Sequence, residues 1–276
     1  MAEQRILIVG GVAGGASCAA RARRLSEEAQ IIIFERGPYV SFANCGLPYF
    51  VGDVIKAEAD LLVASEDLFR DRFNIEVRTE SEVIDIDATA RQVQVRDLRN
   101  GTTYRETYDA LVLAPGATPI RPPLPGIDLP GIFALRTIPD SRRIRAWLDE
   151  HHARRAVIVG AGFIGLEMAE NLQERGLSVQ VIEVAEQVMP PLDAEMAHIV
   201  EAHLSSHEIG LHLGDGVASF ATEGDQLVVG TAGGNRFEAD IVILGIGVRP
   251  ESSLAERAAV QIDPRGGIVV DDHMRT

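Results

Sequence analysis

At 276 residues the chain suggests about two domains, each long enough to bury its own core. Apolar residues make up 46% and charged residues 24%, the balance of an ordinary soluble globular chain. A net charge of −15 argues against a nucleic-acid partner, and no stretch reaches the ~20 unbroken apolar residues of a membrane helix. Met1–Arg5 runs straight into a strand-like segment with no leader pattern, so a cytoplasmic location is expected, with no membrane partner. Cys18 and Cys45 are too far apart for a metal-ligand or secreted-disulfide pattern, and no metal is expected.

In chain order, the apolar run Arg5–Val9 ends in Gly10-Gly11-Val12-Ala13-Gly14-Gly15. A helix is expected from there to about Glu28, followed by a second apolar run, Ile31–Phe34, that ends in Glu35. Strand, glycine turn, helix, strand and acid, with Glu35 about 20 residues beyond the last glycine, form a dinucleotide fingerprint. The glycines admit a pyrophosphate, the helix start offers N–H groups, and the acid bonds a ribose hydroxyl. Val12 stands where the middle glycine is usual, and Arg36 is expected to engage Glu35 in part.

The order returns with Ala156–Val159, Gly160-Ala161-Gly162-Phe163-Ile164-Gly165, a helix to Arg175 stopped by Gly176, and a strand Val179–Ile182 ending in Glu183. No arginine follows Glu183 to hold a 2′-phosphate, so NADH is expected over NADPH. Each copy also closes alike: Asp109, Gly116 and Pro119 recur at one constant offset as Asp240, Gly247 and Pro250. The fold class expected is therefore α/β, with two related Rossmann-like domains and the closing segments as crossings between them. The boundaries are 1–118 (first domain, first part), 119–247 (second domain, inserted) and 248–276 (first domain, second part, incomplete), with Gly267–Val270 a returning strand.

Between the two copies lies Ser41-Phe-Ala-Asn44-Cys45-Gly-Leu-Pro-Tyr49. Polar residues before Cys45 and apolar ones after it place the thiol near a helix start, where the thiolate is favoured. Cys18, inside the first helix among alanines, is assigned to packing. No second cysteine stands near Cys45, so its oxidised form is a mixed disulfide, a sulfenic acid or a persulfide. Ser17, Arg21 and Arg24 share one face of the first helix, a pattern that suits phosphates and suits a solvated basic face equally.

These segments, with Gly162-Phe-Ile-Gly-Leu-Glu167 and Gly245-Ile-Gly-Val-Arg-Pro250, resemble the pyridine nucleotide-disulfide oxidoreductases. Within that family the resemblance is to the coenzyme A disulfide reductase and NADH-dependent persulfide reductase group, in which Val12 is usual. The resemblance implies FAD held by Gly10, Val12, Ala13, Gly14, Gly15, Glu35, Arg36, Val83, Ala114 and Gly116. It implies NADH at Gly160, Gly162, Phe163, Ile164, Gly165 and Glu183, with Gly247 a further cofactor contact. Phe163 matches an aromatic that covers the flavin. Cys45 would be the catalytic sulfur, and Ser17, Arg21, Arg24, Ser41 and Asn44 match contacts to coenzyme A, as substrate or bound thiol. Members continue into a C-terminal dimerisation domain that is absent here, so the chain reads as a truncated form. A full-length member is expected to be a homodimer, and this shorter chain is able to stand as a monomer. Two alternatives stay open: an NADH oxidase cycling Cys45 through a sulfenic acid, and an inactive nucleotide-binding fragment.

Overall fold

The computed structural model of the protein describes residues 4–224 and 226–276. The chain opens with β1 (Arg5–Val9), α1 (Gly14–Leu25) and β2 (Gln30–Phe34). A 3-10 turn, Asn44–Gly46, leads into α2 (Leu47–Val51), and α3 (Glu66–Phe73) follows. Next come β3 (Glu76–Arg78), β4 (Ser81–Asp87), β5 (Gln92–Asp97), β6 (Thr103–Thr107), β7 (Ala110–Leu113) and β8 (Ala117–Pro119). The chain continues through β9 (Ile132–Phe133), α4 (Ile138–Glu150), β10 (Arg155–Val159), α5 (Phe163–Glu174), β11 (Ser178–Ile182) and α6 (Ala194–Ser206). Then follow β12 (Gly210–His212), β13 (Val217–Glu223), β14 (Gln226–Thr231), β15 (Arg236–Ala239), β16 (Ile241–Leu244), β17 (Val248–Pro250) and α7 (Ser253–Arg257).

One compact unit gathers the described residues up to Ala43, Leu62–Thr118 and Arg249–Thr276. Its central sheet is parallel throughout, in the order β3-β2-β1-β7. Side chains alternate across a strand, so both faces of an all-apolar strand must be covered. On one face Ile8, Ile31 and Ile33 pack with Ala16 and Ala19 of α1 and Phe69 of α3. On the other, Leu7, Val9, Ile32 and Phe34 pack with Val83, Val93 and Val95 of the antiparallel sheet β4-β5-β6 and with Leu254. Each such aliphatic side chain contributes about 1.5–3 kcal/mol by leaving water.

The second unit comprises Asn44–Leu61 and Pro119–Val248. Its parallel sheet runs β12-β11-β10-β16-β9. Val157, Val159, Ile182, Val242 and Leu244 pack there on Phe220, Leu227 and Val229 of the antiparallel sheet β13-β14-β15. Met168, Ala169 and Leu172 of α5 are fully buried. Neither antiparallel sheet was anticipated from the sequence.

Three sequence expectations change. Residues 44–61, assigned above to the first part of the chain, pack in the second unit. The carbonyls at the end of α2 are taken by two arginines: Arg145 Nη1 donates to Phe50 O at 2.6 Å and Arg175 Nη1 to Val51 O at 3.0 Å. The Arg145 guanidinium also lies 4.3 Å from the Phe50 ring centre and bonds Asp53. The first helix stops at Leu25 rather than Glu28, because the guanidinium of buried Arg23 folds back onto the carbonyls of Ser26, Glu27 and Ala29. Gly267–Val270 forms no strand: Asp263 Oδ1 accepts the N–H groups of Arg265 and Gly267, closing a turn that leaves only the bridge Ile262–Ile268.

Candidate functional site

Glu35 and Glu183, at the ends of β2 and β11, are both buried. Each has its two carboxylate oxygens tied to the backbone of its own glycine loop and turn. In the first unit Gly11 N–H donates to Glu35 Oε2 at 2.8 Å and Gly37 N–H to Oε1 at 2.7 Å. In the second, Ala161 N–H donates to Glu183 Oε2 at 2.7 Å and Ala185 N–H to Oε1 at 2.9 Å. Carboxylate oxygens have further lone pairs, so each acid can still accept a hydroxyl. Gly10 N–H reaches Phe34 O and Gly160 N–H reaches Ile182 O, both at 2.8 Å. A Cβ on Gly15 would fall 1.8 Å from Gly10 O, and one on Gly165 would fall 2.0 Å from Gly160 O. Only glycine lets either helix start so close under its strand.

In the second unit a cavity of about 720 Å³ is lined by Gly160, Gly162, Phe163, Ile164, Glu183, Gly247, Val184, Gly216 and Val217, among others. Gly165 lies behind it, against Gly160. A Cβ on Gly162 would meet nothing within 4 Å, and no side chain caps the first turn of α5, so backbone N–H groups face open space. Phe163 and Val184 are exposed. The donor set fits a dinucleotide: free N–H groups for a pyrophosphate, an acid for a ribose and apolar walls for flat rings.

The first unit holds a smaller cavity of about 90 Å³, lined by Gly10, Glu35, Arg36, Val83, Ser81, Glu251 and Arg257, among others. It has room for part of a nucleoside. Val12, Ala13 and Gly14 lead into α1, whose first turn also lacks a side-chain cap. Ala114 N–H donates to Val9 O at 2.8 Å, and Gly116 O accepts the N–H of Glu251 at 3.0 Å. Arg36 makes no ion pair with Glu35, whose oxygens face the backbone N–H groups of Gly11 and Gly37. It lies 3.9 Å from Glu251 instead. Hydrogen bonds from Ser253 and Thr118, with Arg36 adding charge, hold the Glu251 carboxyl below its usual range. Glu251 follows the repeated Pro250, and no local pattern singled it out.

Cys45 is exposed in the 3-10 turn Asn44–Gly46, immediately before Gly46, the N-cap of α2, with Asn44 exposed beside it. Cys18 is half-buried, and burial pushes its thiol up. The Tyr49 phenol is also pushed up, by desolvation first and then by Glu167, Glu170 and Cys45. Tyr49 and the α5 carboxylates therefore share the cysteine's surroundings, which the sequence reading did not assign. In the first unit Ser17, Arg21 and Arg24 are exposed along α1, and neither arginine has an ion-pair partner among the described residues. Ser41 is buried in a left-handed backbone conformation, φ 47°. Its N–H bonds Gly11 O at 2.9 Å, and its carbonyl accepts from Val63 and Ala64. Among the described residues no cluster of metal ligands occurs, and no helix is long and apolar enough to cross a membrane.

Residues 4–276 match the family described as pyridine nucleotide-disulphide oxidoreductase. The chain belongs to that family. It is 37% identical to a coenzyme A disulfide reductase of Staphylococcus haemolyticus over 273 residues, which is 99% of this chain and 60% of the relative. The reduced Bacillus anthracis CoADR-RHD superposes with a TM-score of 0.97 at 47% identity, over 100% of this chain and 49% of that one. An NAD-dependent persulfide reductase from A. fulgidus gives 0.94 at 37% identity, over 98% of this chain and 51% of that one. The chain thus spans about half to three-fifths of the length of these family members.

Proposed function

We propose that the protein is an FAD-dependent oxidoreductase that passes electrons from NADH, through Cys45, to a small disulfide, persulfide or polysulfide, coenzyme A disulfide among them. The observation that carries this reading is one exposed cysteine in a chain with two acid-tied glycine loops. Those loops support two Rossmann-like dinucleotide-binding domains, the first formed from residues on both sides of an inserted second. The relatives' names supply the sulfur chemistry.

In the second domain, Glu183 would accept a ribose hydroxyl while the uncapped start of α5 at Gly162 and Phe163 receives a pyrophosphate. Its charge, and the apolar exposed Val184 after it, leave nothing to hold a 2′-phosphate, which favours NADH over NADPH. In the first domain Glu35 and the start of α1 offer the same pair of features to FAD. FAD, when bound, supplies the two-electron chemistry that no side chain can.

The chain's own contribution is the sulfur step. The Cys45 thiolate attacks one sulfur of RS–SR; a Cys45–S bond forms, the S–S bond breaks and RS⁻ leaves. Two electrons originating in NADH and one proton then convert the mixed disulfide to RSH and the Cys45 thiolate. Arg21 and Arg24, exposed on α1 and without ion-pair partners among the described residues, suit the phosphates of a coenzyme A thiol.

The test is the visible spectrum of the purified chain, before and after anaerobic NADH. A flavin band that bleaches on addition supports the reading. A protein that stays colourless with added FAD overturns it for this chain.

A further inference from the structure

The two strand-end acids are held by the same backbone frame. Glu35 N–H donates to Arg78 O and its carbonyl accepts from Ser81 N–H, both at 2.9 Å. Glu183 N–H donates to His212 O at 2.9 Å, and its carbonyl accepts from Asp215 N–H at 3.2 Å. The side chains framing these loops differ. Arg78 turns to Glu76, Glu106 and Tyr104, and Ser81 Oγ donates to Thr79 O. In the second unit the corresponding pair bond each other, with His212 Nε2 2.7 Å from Asp215 Oδ2.

Asp215 then reaches further. Its Oδ1 accepts Gly233 N–H at 2.8 Å and its Oδ2 accepts Asn235 Nδ2 at 3.1 Å, which fastens the β14–β15 turn to the loop. Ala232 N–H adds a bond to Gly216 O, and Gly214 N–H one to Ala185 O, both at 2.9 Å. Hydrogen bonds from His212 first, then Thr231 and Gly233, hold the Asp215 carboxyl well below the usual carboxylate range. The side chain is therefore a charged acceptor throughout the neutral range. The residues that follow, Gly216 and Val217, are wall of the 720 Å³ cavity on the side of Glu183 and Val184. A Cβ on Gly216 would lie 3.3 Å from Val184 Cγ2, so the loop already touches the residue after the acid.

We propose that His212 and Asp215 are positioning residues for the adenosine end of the dinucleotide: their bond fixes the loop that holds Glu183 and walls the cavity at Gly216. The shared frame needs no such pair, because the first unit holds Glu35 without one. The pair serves the larger cavity alone. This inference rests on the dinucleotide reading of that cavity.

The experiment measures ADP-ribose affinity of the whole chain by calorimetric titration, together with Tm, for the wild type, His212→Leu, His212→Gln and Asp215→Ala. Glutamine presents an N–H close to the position of imidazole Nε2; leucine fills the space without a donor. The expected result is a loss of about five- to tenfold in His212→Leu and Asp215→Ala, with His212→Gln within about twofold of wild type. His212→Leu should keep the wild-type Tm within about 2 °C. Should Asp215→Ala fail to fold, the two His212 variants decide alone. Wild-type affinity in His212→Leu overturns the inference. So does an equal loss in His212→Gln, or a loss matched by a fall in Tm, since either removes the donor's positioning role. A wild-type chain that binds no ADP-ribose sinks the dinucleotide reading itself, which is a distinct result.

Discussion

Ala161 donates its N–H to Glu183 Oε2 at 2.7 Å, so the second residue of the glycine loop and the acid at the end of the next strand share one hydrogen bond. Gly11 and Glu35 make the same bond at 2.8 Å. The acid that would meet a ribose is thus oriented before any nucleotide arrives. A ligand bound there need not supply the entropy of ordering that side chain.

Cys45→Ser removes the nucleophile without touching either glycine loop. Flavin bleaching by NADH should persist in an anaerobic cuvette, while turnover of coenzyme A disulfide falls to the uncatalysed background. Steady disulfide reduction by this variant would show that Cys45 is not the reacting sulfur.

Arg21 and Arg24 have no ion-pair partner among the described residues, so replacing both by alanine costs little stability. KM for a coenzyme A substrate should rise about tenfold, with kcat for a phosphate-free disulfide unchanged. Equal effects on both substrates would return the pair to the role of a solvated basic face.

Gly165→Ala drives a Cβ to 2.0 Å from Gly160 O, where backbone rather than a flexible side chain must give way. Overpacking of this kind costs about 1–3 kcal/mol. Denaturant unfolding should report that loss, and NADH affinity should fall with it because the displaced loop carries the Ala161 donor. Retention of both values would mean that α5 can slide without disturbing Gly160.

Burial works to raise the Asp240 carboxyl, but the N–H groups of Arg154 and Arg155 and the Arg155 guanidinium outweigh it and hold the group below its usual value. A folded-state pKa that lies lower contributes stability present above the unfolded value of about 3.9 and lost as pH falls toward the folded one. Asp240→Asn should therefore lower Tm at neutral pH and flatten its decline through the acid limb. Parallel acid limbs in variant and wild type would contradict this.

Much of the frame was legible because it is local or repeated. Asp109 and Asp240 recur at one offset, and the structure gives both one job. Asp109 Oδ2 takes Arg5 N–H at 2.7 Å, and Asp240 Oδ2 takes Arg154 and Arg155 N–H at 2.9 Å, so each closing strand is pinned at the start of its central strand. The glycine loops, the two acids and the stop at Gly176 were equally readable, since each depends on bonds within one strand–helix–strand turn.

The partners of long side chains were not readable. Arg36 reads as a neighbour of Glu35, yet its charge goes to Glu251, far along the chain. The Cys45 segment reads as part of the first domain, yet Arg145 and Arg175 fasten α2 into the second unit. His212 and Asp215 carry no motif at all. By itself the sequence determined the repeated strand–glycine–helix–acid units and the lone cysteine between them, because periodicity and short-range backbone bonds fix those. Only the tertiary structure decided which distant donor meets which acceptor, because a guanidinium or imidazole bonds whatever the packed sheets and helices bring within about 3 Å of it.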